Sequence, residues 1–128
     1  MRAVDTNVIV RLTTRDNKAQ VAAAESYIAE RGAWVSHLVL IEVAWVLDSV
    51  YELKRHQIAT AIDMLLDQEH LALQDPEIVA AAAKQYRDGI GSDFADCMIL
   101  EVARSTGNLP LATFDKKLGK AEGAQRLR

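Results

Sequence analysis

Short β-rich runs, most of them followed by two helix-length segments, recur along these 128 residues, and they constrain the fold more than any other feature. Residues 2–5 form the first run, and Val8, Ile9 and Leu12 mark a helix after it with Thr6 as its cap. Residues 17–31 are rich in good helix formers, with Val21, Ala24, Tyr27 and Ile28 on one stripe and Gly32 as the stop. A second strand, 33–36, runs into HLVLIEVAWVLDSVY, which is long enough for a mostly buried helix. Residues 55–68 set Ile58, Ile62, Leu65 and Leu66 on one face, 71–73 read as a third strand, and Pro76 opens the helix PEIVAAAAKQYRD. Gly89 and Gly91 break the chain, 93–106 is helical, 111–114 is a fourth strand, and a short terminal helix follows. This alternation predicts one α/β domain over 1–128, with a mainly parallel central sheet flanked by helices on both faces.

Composition removes several classes of function. Fifteen Lys and Arg stand against 18 Asp and Glu, a formal charge of −3, so a general phosphate-coating role is disfavoured and any nucleic-acid contact must be local. Residues 38–47 form the longest apolar run, interrupted by Glu42, and fall far short of the roughly 20 residues that cross a bilayer. Cys97 has no partner for an internal disulfide, and MRAVDTNVIV lacks the features of a signal peptide, so a reducing, cytoplasmic setting is expected.

Four acids lie in apolar company: Asp5 in RAVDTNVIV, Glu42 in LVLIEVAWVL, Asp96 in DFADCMIL and Asp115 in LATFDKKL. Burying an ionised carboxylate costs several kcal/mol unless it is paired or bound to a metal. Asp5 and Asp115 fall at the C-terminal ends of strands, where open parallel sheets build their sites. Glu42 has Leu38, Val39, Trp45 and Val46 as helical neighbours and is expected to face inward. No basic residue is similarly embedded, so a divalent ion between the acids is the natural compensation, and hard oxygen donors favour Mg²⁺ or Mn²⁺ over Zn²⁺. Asp93 either caps the helix carrying Asp96 or joins the site from the same face. His37, His56 and His70 lack ligand spacing, GIGSDF is a turn rather than a nucleotide fingerprint, and Trp34, Trp45 and Tyr27 are core or interface anchors. Cys97 is a small buried residue rather than a nucleophile. Arg11, Arg15, Lys116 and Lys117 are the cations best placed to touch phosphates.

The strings VDTNVIVR, SHLVLIEVAWVL, SDFADCMIL and TFDKKL, in this order over essentially the whole chain, resemble the PIN-domain ribonucleases, in particular the VapC-type toxins of bacterial toxin–antitoxin pairs. The resemblance implies a PIN-like three-layer sandwich and hydrolysis of RNA phosphodiesters at Mg²⁺ or Mn²⁺, with endonuclease action expected. It assigns Asp5, Glu42, Asp96 and Asp115 to the acidic positions that hold the metal and activate water. Asn7 and Thr113 fall on flanking polar positions that support them. It further implies a homodimer and a small VapB-type antitoxin partner.

Two rivals come from other classes. A phosphoacceptor receiver domain of similar length needs an acidic pair at the first strand end, where only Asp5 stands, and its third strand here ends LALQDP. A catalytically silent PIN-like binding module gains no support from a sequence that has all four acids.

Overall fold

The computed structural model describes residues 1–128, and it arranges them as the alternation predicts. Strand β1 (Arg2–Ala3) leads through helices α1 (Thr6–Thr14) and α2 (Lys18–Arg31) to β2 (Ala33–Val35). From there α3 (His37–Ser49) and α4 (Arg55–Leu66) lead to β3 (Leu71–Leu73). Next come α5 (Pro76–Arg87), α6 (Phe94–Ser105) and β4 (Leu111–Thr113), then a 3-10 turn (Leu118–Lys120) and β5 (Ala124–Arg126). All strand pairings are parallel: two-helix crossovers join β1 to β2 and β2 to β3, and a connection carrying the 3-10 turn joins β4 to β5.

The strands form two sheets rather than one. β1, β2 and β3 pair in that order, with Arg2 opposite Ala33 and Ala33 opposite Leu71, while β4 and β5 pair separately, Leu111 opposite Ala124. Nothing in the local sequence signals β5: AQR carries no β-branched or aromatic residue, and its strand conformation comes from its partner. Gly119 lets the two pieces approach, since a Cβ there would sit 2.7 Å from the Arg126 Cβ. The expected terminal helix is reduced to the single 3-10 turn.

Local signals explain the helix starts. The Asn17 side chain accepts from the Gln20 N–H, and the Ser36 hydroxyl accepts from the Val39 N–H. The N-cap of α1 is Asp5 rather than Thr6, and its carboxylate makes no capping hydrogen bond. A core of 22 buried residues ties α1 to α6 onto β2 and β3, whereas Leu100, Leu118 and Ala121 form a separate small cluster that seats the β4–β5 sheet on α6.

Helix α3 buries one face only. Leu40, Val43, Ala44 and Leu47 point into the core, while Leu38 and Trp45 are 79% and 63% exposed. Glu42 lies about 200° round the helix from Leu40 at 100° per residue, so it faces outward, contrary to expectation. The apolar run supplies hydrophobic neighbours on every side of Glu42, and half of those neighbours are themselves at the surface. Trp34 and Tyr27 are partly exposed, with the Arg2 guanidinium 3.8 Å above the Tyr27 ring.

Candidate active site

Each predicted acid stands at the end of an element or on an outer face, so the premise of four buried carboxylates does not hold. Asp5 and Glu42 are exposed, and Asp96 and Asp115 are half-buried. The one buried acid is Glu101, which accepts from the Gln85 amide and lies 3.5 Å from Arg104. Strand ends and first helical turns sit at the surface, where a carboxylate keeps its water.

Two of the acids are drawn together by a residue that sequence reasoning missed, Ser92. Its N–H donates to Asp96 Oδ2 at 2.8 Å and its hydroxyl donates to Asp115 Oδ1 at 3.0 Å, so one serine links the first turn of α6 to the end of β4. Asp93 is the N-cap of α6, its Oδ1 accepting from the Asp96 N–H at 2.9 Å. Asp115 Oδ2 accepts from the Leu118 N–H, and the Asp115 N–H in turn donates to Thr113 Oγ1 at 3.0 Å. The Leu118 and Ser92 hydrogen bonds hold the Asp115 carboxyl below the usual carboxylate range.

The two remaining predicted acids line grooves. Glu42 shares a groove of about 860 Å³ with Trp45, Ser92 and Asp93. Asp5 lines a different groove, between α1 and α2, together with Asn7, Arg11 and Tyr27. No ion pair reaches Asp5, Glu42, Asp93, Asp96 or Asp115. By contrast, Arg11 contacts Asp16 at 3.1 Å and Arg15 contacts Glu25 at 3.3 Å, so both arginines already have acidic partners. Hydrogen bonds from Tyr51 and Thr14, with Arg11 alongside, lower the Asp16 pKa. Lys116 and Lys117 are exposed and unpaired.

These donors suit a hard cation in kind. All are carboxylate oxygens, Asp5 and Glu42 have no hydrogen-bond partner for theirs, and no lysine or arginine forms an ion pair with any of them. No three His, Cys, Asp or Glu side chains stand close enough together to hold a metal ion between them. Mg²⁺ is ordinarily held by one or two carboxylates and keeps several waters, so an open arrangement of this sort fits it better than it fits Zn²⁺. Cys97 is not set up as a thiolate nucleophile: it is fully buried, burial pushes its thiol up to about 12, and its Sγ–H donates to the Ile90 carbonyl.

Comparison with known proteins adds the family. The PIN domain family model matches residues 2–124. No curated protein and no solved structure matches the chain.

Proposed function

From its membership of the PIN-domain family, to which the chain belongs over residues 2–124, we propose that this protein is a metal-dependent ribonuclease. PIN domains are typically metal-dependent nucleases, which makes hydrolysis of a phosphodiester the activity to test. The observation that carries the reading is the Asp93–Asp96–Ser92–Asp115 constellation, in which one serine joins Asp96 to Asp115, Asp93 caps the same helix, and none of the three carboxylates is held in an ion pair.

In this reading Asp96 and Asp115 hold Mg²⁺ or Mn²⁺, Glu42 lines the groove beside Ser92 and Asp93, and Asp5 is the further acid that the family resemblance assigns to the site. When bound, the ion supplies charge neutralisation at the phosphoryl oxygens and lowers the pKa of water. The chain's own residues do the rest. Ser92 fixes the two carboxylates relative to each other, Asp93 anchors the start of α6, and Thr113 holds the backbone of Asp115. Lys116 and Lys117 attract the phosphate backbone beside Asp115.

The finer proposal is an endonuclease that serves as the toxin of a type II toxin–antitoxin pair, working in the cytoplasm as a homodimer held in check by a VapB-type antitoxin. The exposed apolar residues Leu38 and Trp45 of α3 and Ile99 and Val102 of α6 support a protein partner. No helix is long and apolar enough to cross a membrane. A second reading, a PIN-like binding module without activity, draws on the outward placement of Glu42 and the separate groove of Asp5. Total cellular RNA incubated with purified protein in Mg²⁺, Mn²⁺ or EDTA, beside Asp96→Asn, decides between them. Discrete products that vanish with chelator and with the variant support the nuclease, and intact RNA under every metal supports the binding module.

A further inference from the structure

We propose that Arg55 is a positioning residue for the acidic cluster, acting through the turn 86–92 and Ser92; the proposal rests on the nuclease reading above. Arg55 opens α4, and its guanidinium reaches four backbone carbonyls on another part of the chain. Nη1 donates to the Tyr86 and Ile90 carbonyls, each at 2.9 Å, and Nη2 to those of Gly91 at 2.8 Å and Ser92 at 3.4 Å. The guanidinium carbon also lies 4.4 Å from the centre of the Tyr86 ring. No carboxylate pairs with it in a chain that has 18 acidic residues. An arginine whose two terminal nitrogens donate only to carbonyls fixes backbone geometry, and its planar fork is a shape that lysine does not reproduce.

The turn that Arg55 grips is pressed against the site. Gly91 has φ +70°, and a Cβ there would stand 2.8 Å from the Asp96 Cβ, so only glycine lets the chain pass this close to α6. The next residue is Ser92, which donates to both Asp96 and Asp115. Arg55 therefore sets, through Gly91 and Ser92, the separation of two carboxylates that belong to separately built parts of the fold. Releasing the guanidinium frees the turn, and the two acids lose their common donor.

Metal-free protein titrated with Mn²⁺ by calorimetry, with amide hydrogen exchange read at Ser92 by NMR, tests this chain of contacts. Arg55→Lys should keep a cooperative thermal transition and its Val43 and Leu47 protection, while the Ser92 amide exchanges at least about tenfold faster. Its Mn²⁺ affinity should fall about tenfold, the ordinary effect of losing support behind a metal ligand. In the cleavage assay kcat should drop with KM unchanged. Ser92→Ala leaves the Arg55 contacts in place and should weaken Mn²⁺ by a similar factor, and the double variant should be no worse than the weaker single, because the two act in series. Wild-type Ser92 exchange and Mn²⁺ affinity in folded Arg55→Lys overturn the proposal, as do additive losses in the double variant. Should Arg55→Lys lose its cooperative transition, an unchanged Mn²⁺ affinity in Ser92→Ala overturns it. A wild-type protein that binds no Mn²⁺ refutes the metal reading instead, and Ser92 exchange in Arg55→Lys still upholds or overturns the grip of Arg55 on the turn.

Discussion

The two sheets of this protein are built to different standards. β1–β2–β3 rests on a 22-residue core that includes Leu40, Leu47, Ile58 and Ile62, all essentially inaccessible. The β4–β5 pair rests on Leu100, Leu118 and Ala121, and is held otherwise by its own ladder and by polar contacts such as Ser92 to Asp115. Asp5 belongs to the first unit and Asp115 to the second, with Asp96 at the seam. A site assembled across a seam depends on whatever spans it: here a small apolar contact of Leu100 and Ile90 with the β4–β5 side, and, at the acids themselves, a serine and a gripped turn.

The sharpest way to break the comparison is at the seam. Asp96→Asn should lower RNA cleavage about a hundredfold or more while leaving the thermal transition in place, since the amide oxygen still accepts from Ser92. Full activity in Asp96→Asn at matched metal would remove the seam from the chemistry. Packing comes next. Leu40→Ala in the large core should cost about 2–5 kcal/mol of global stability in denaturant unfolding. Leu118→Ala should fall at about the low end of that range, and it should open β4–β5 to hydrogen exchange before the rest unfolds. Simultaneous loss of protection in both sheets would show a single cooperative unit and erase the distinction.

A smaller effect concerns RNA binding on the β4–β5 side. Lys116→Ala with Lys117→Ala should weaken RNA binding and flatten the log-log salt slope by about two, roughly one for each phosphate that a lysine no longer neutralises. Arg15→Ala, whose charge is engaged by Glu25 in the larger unit, should leave the slope nearly unchanged. Equal slopes for the two variants would deny the small sheet a special part in binding.

Most of the larger unit is legible in the sequence because it obeys periodic rules. Of the two roles open to Asp93 the cap is the one it fills, and three parallel strands fall where short β-rich runs stand between helices. The direction of Glu42 is illegible because LVLIEVAWVL is apolar all round the helix, so its pattern names no inner face. The pairing of Arg11 with Asp16 and with Tyr51, 40 residues away, likewise leaves no mark on local spacing. Ser92 and Arg55 are illegible for the same reason at longer range. A hydroxyl that donates across 23 residues, and a guanidinium that reaches carbonyls 31 to 37 residues away, are consequences of the closed fold. β5 becomes visible only through its pairing with β4.

The finest test of the two-unit picture is acid. The Asp115 carboxyl is held below its ordinary value by the Leu118 N–H and by Ser92, so the folded form binds its proton less readily than the unfolded chain does. A depressed native value contributes stability that is present above the unfolded carboxylate value of about 3.9 and is lost as pH falls through the native one. In metal-free buffer, lowering the pH below about 4 should therefore loosen β4–β5 and the Leu118 turn, and speed their amide exchange beyond the intrinsic pH effect. Asp16 is lowered too, but by Tyr51, Thr14 and Arg11 in the larger unit, so its protonation should leave the Leu118 amide unaffected. Asp115→Asn should abolish the acid response at Leu118, and Asp16→Asn should preserve it. If Asp115→Asn kept the full response, the acid sensitivity of the small sheet would lie outside the site, and the seam would owe nothing to that carboxylate's charge.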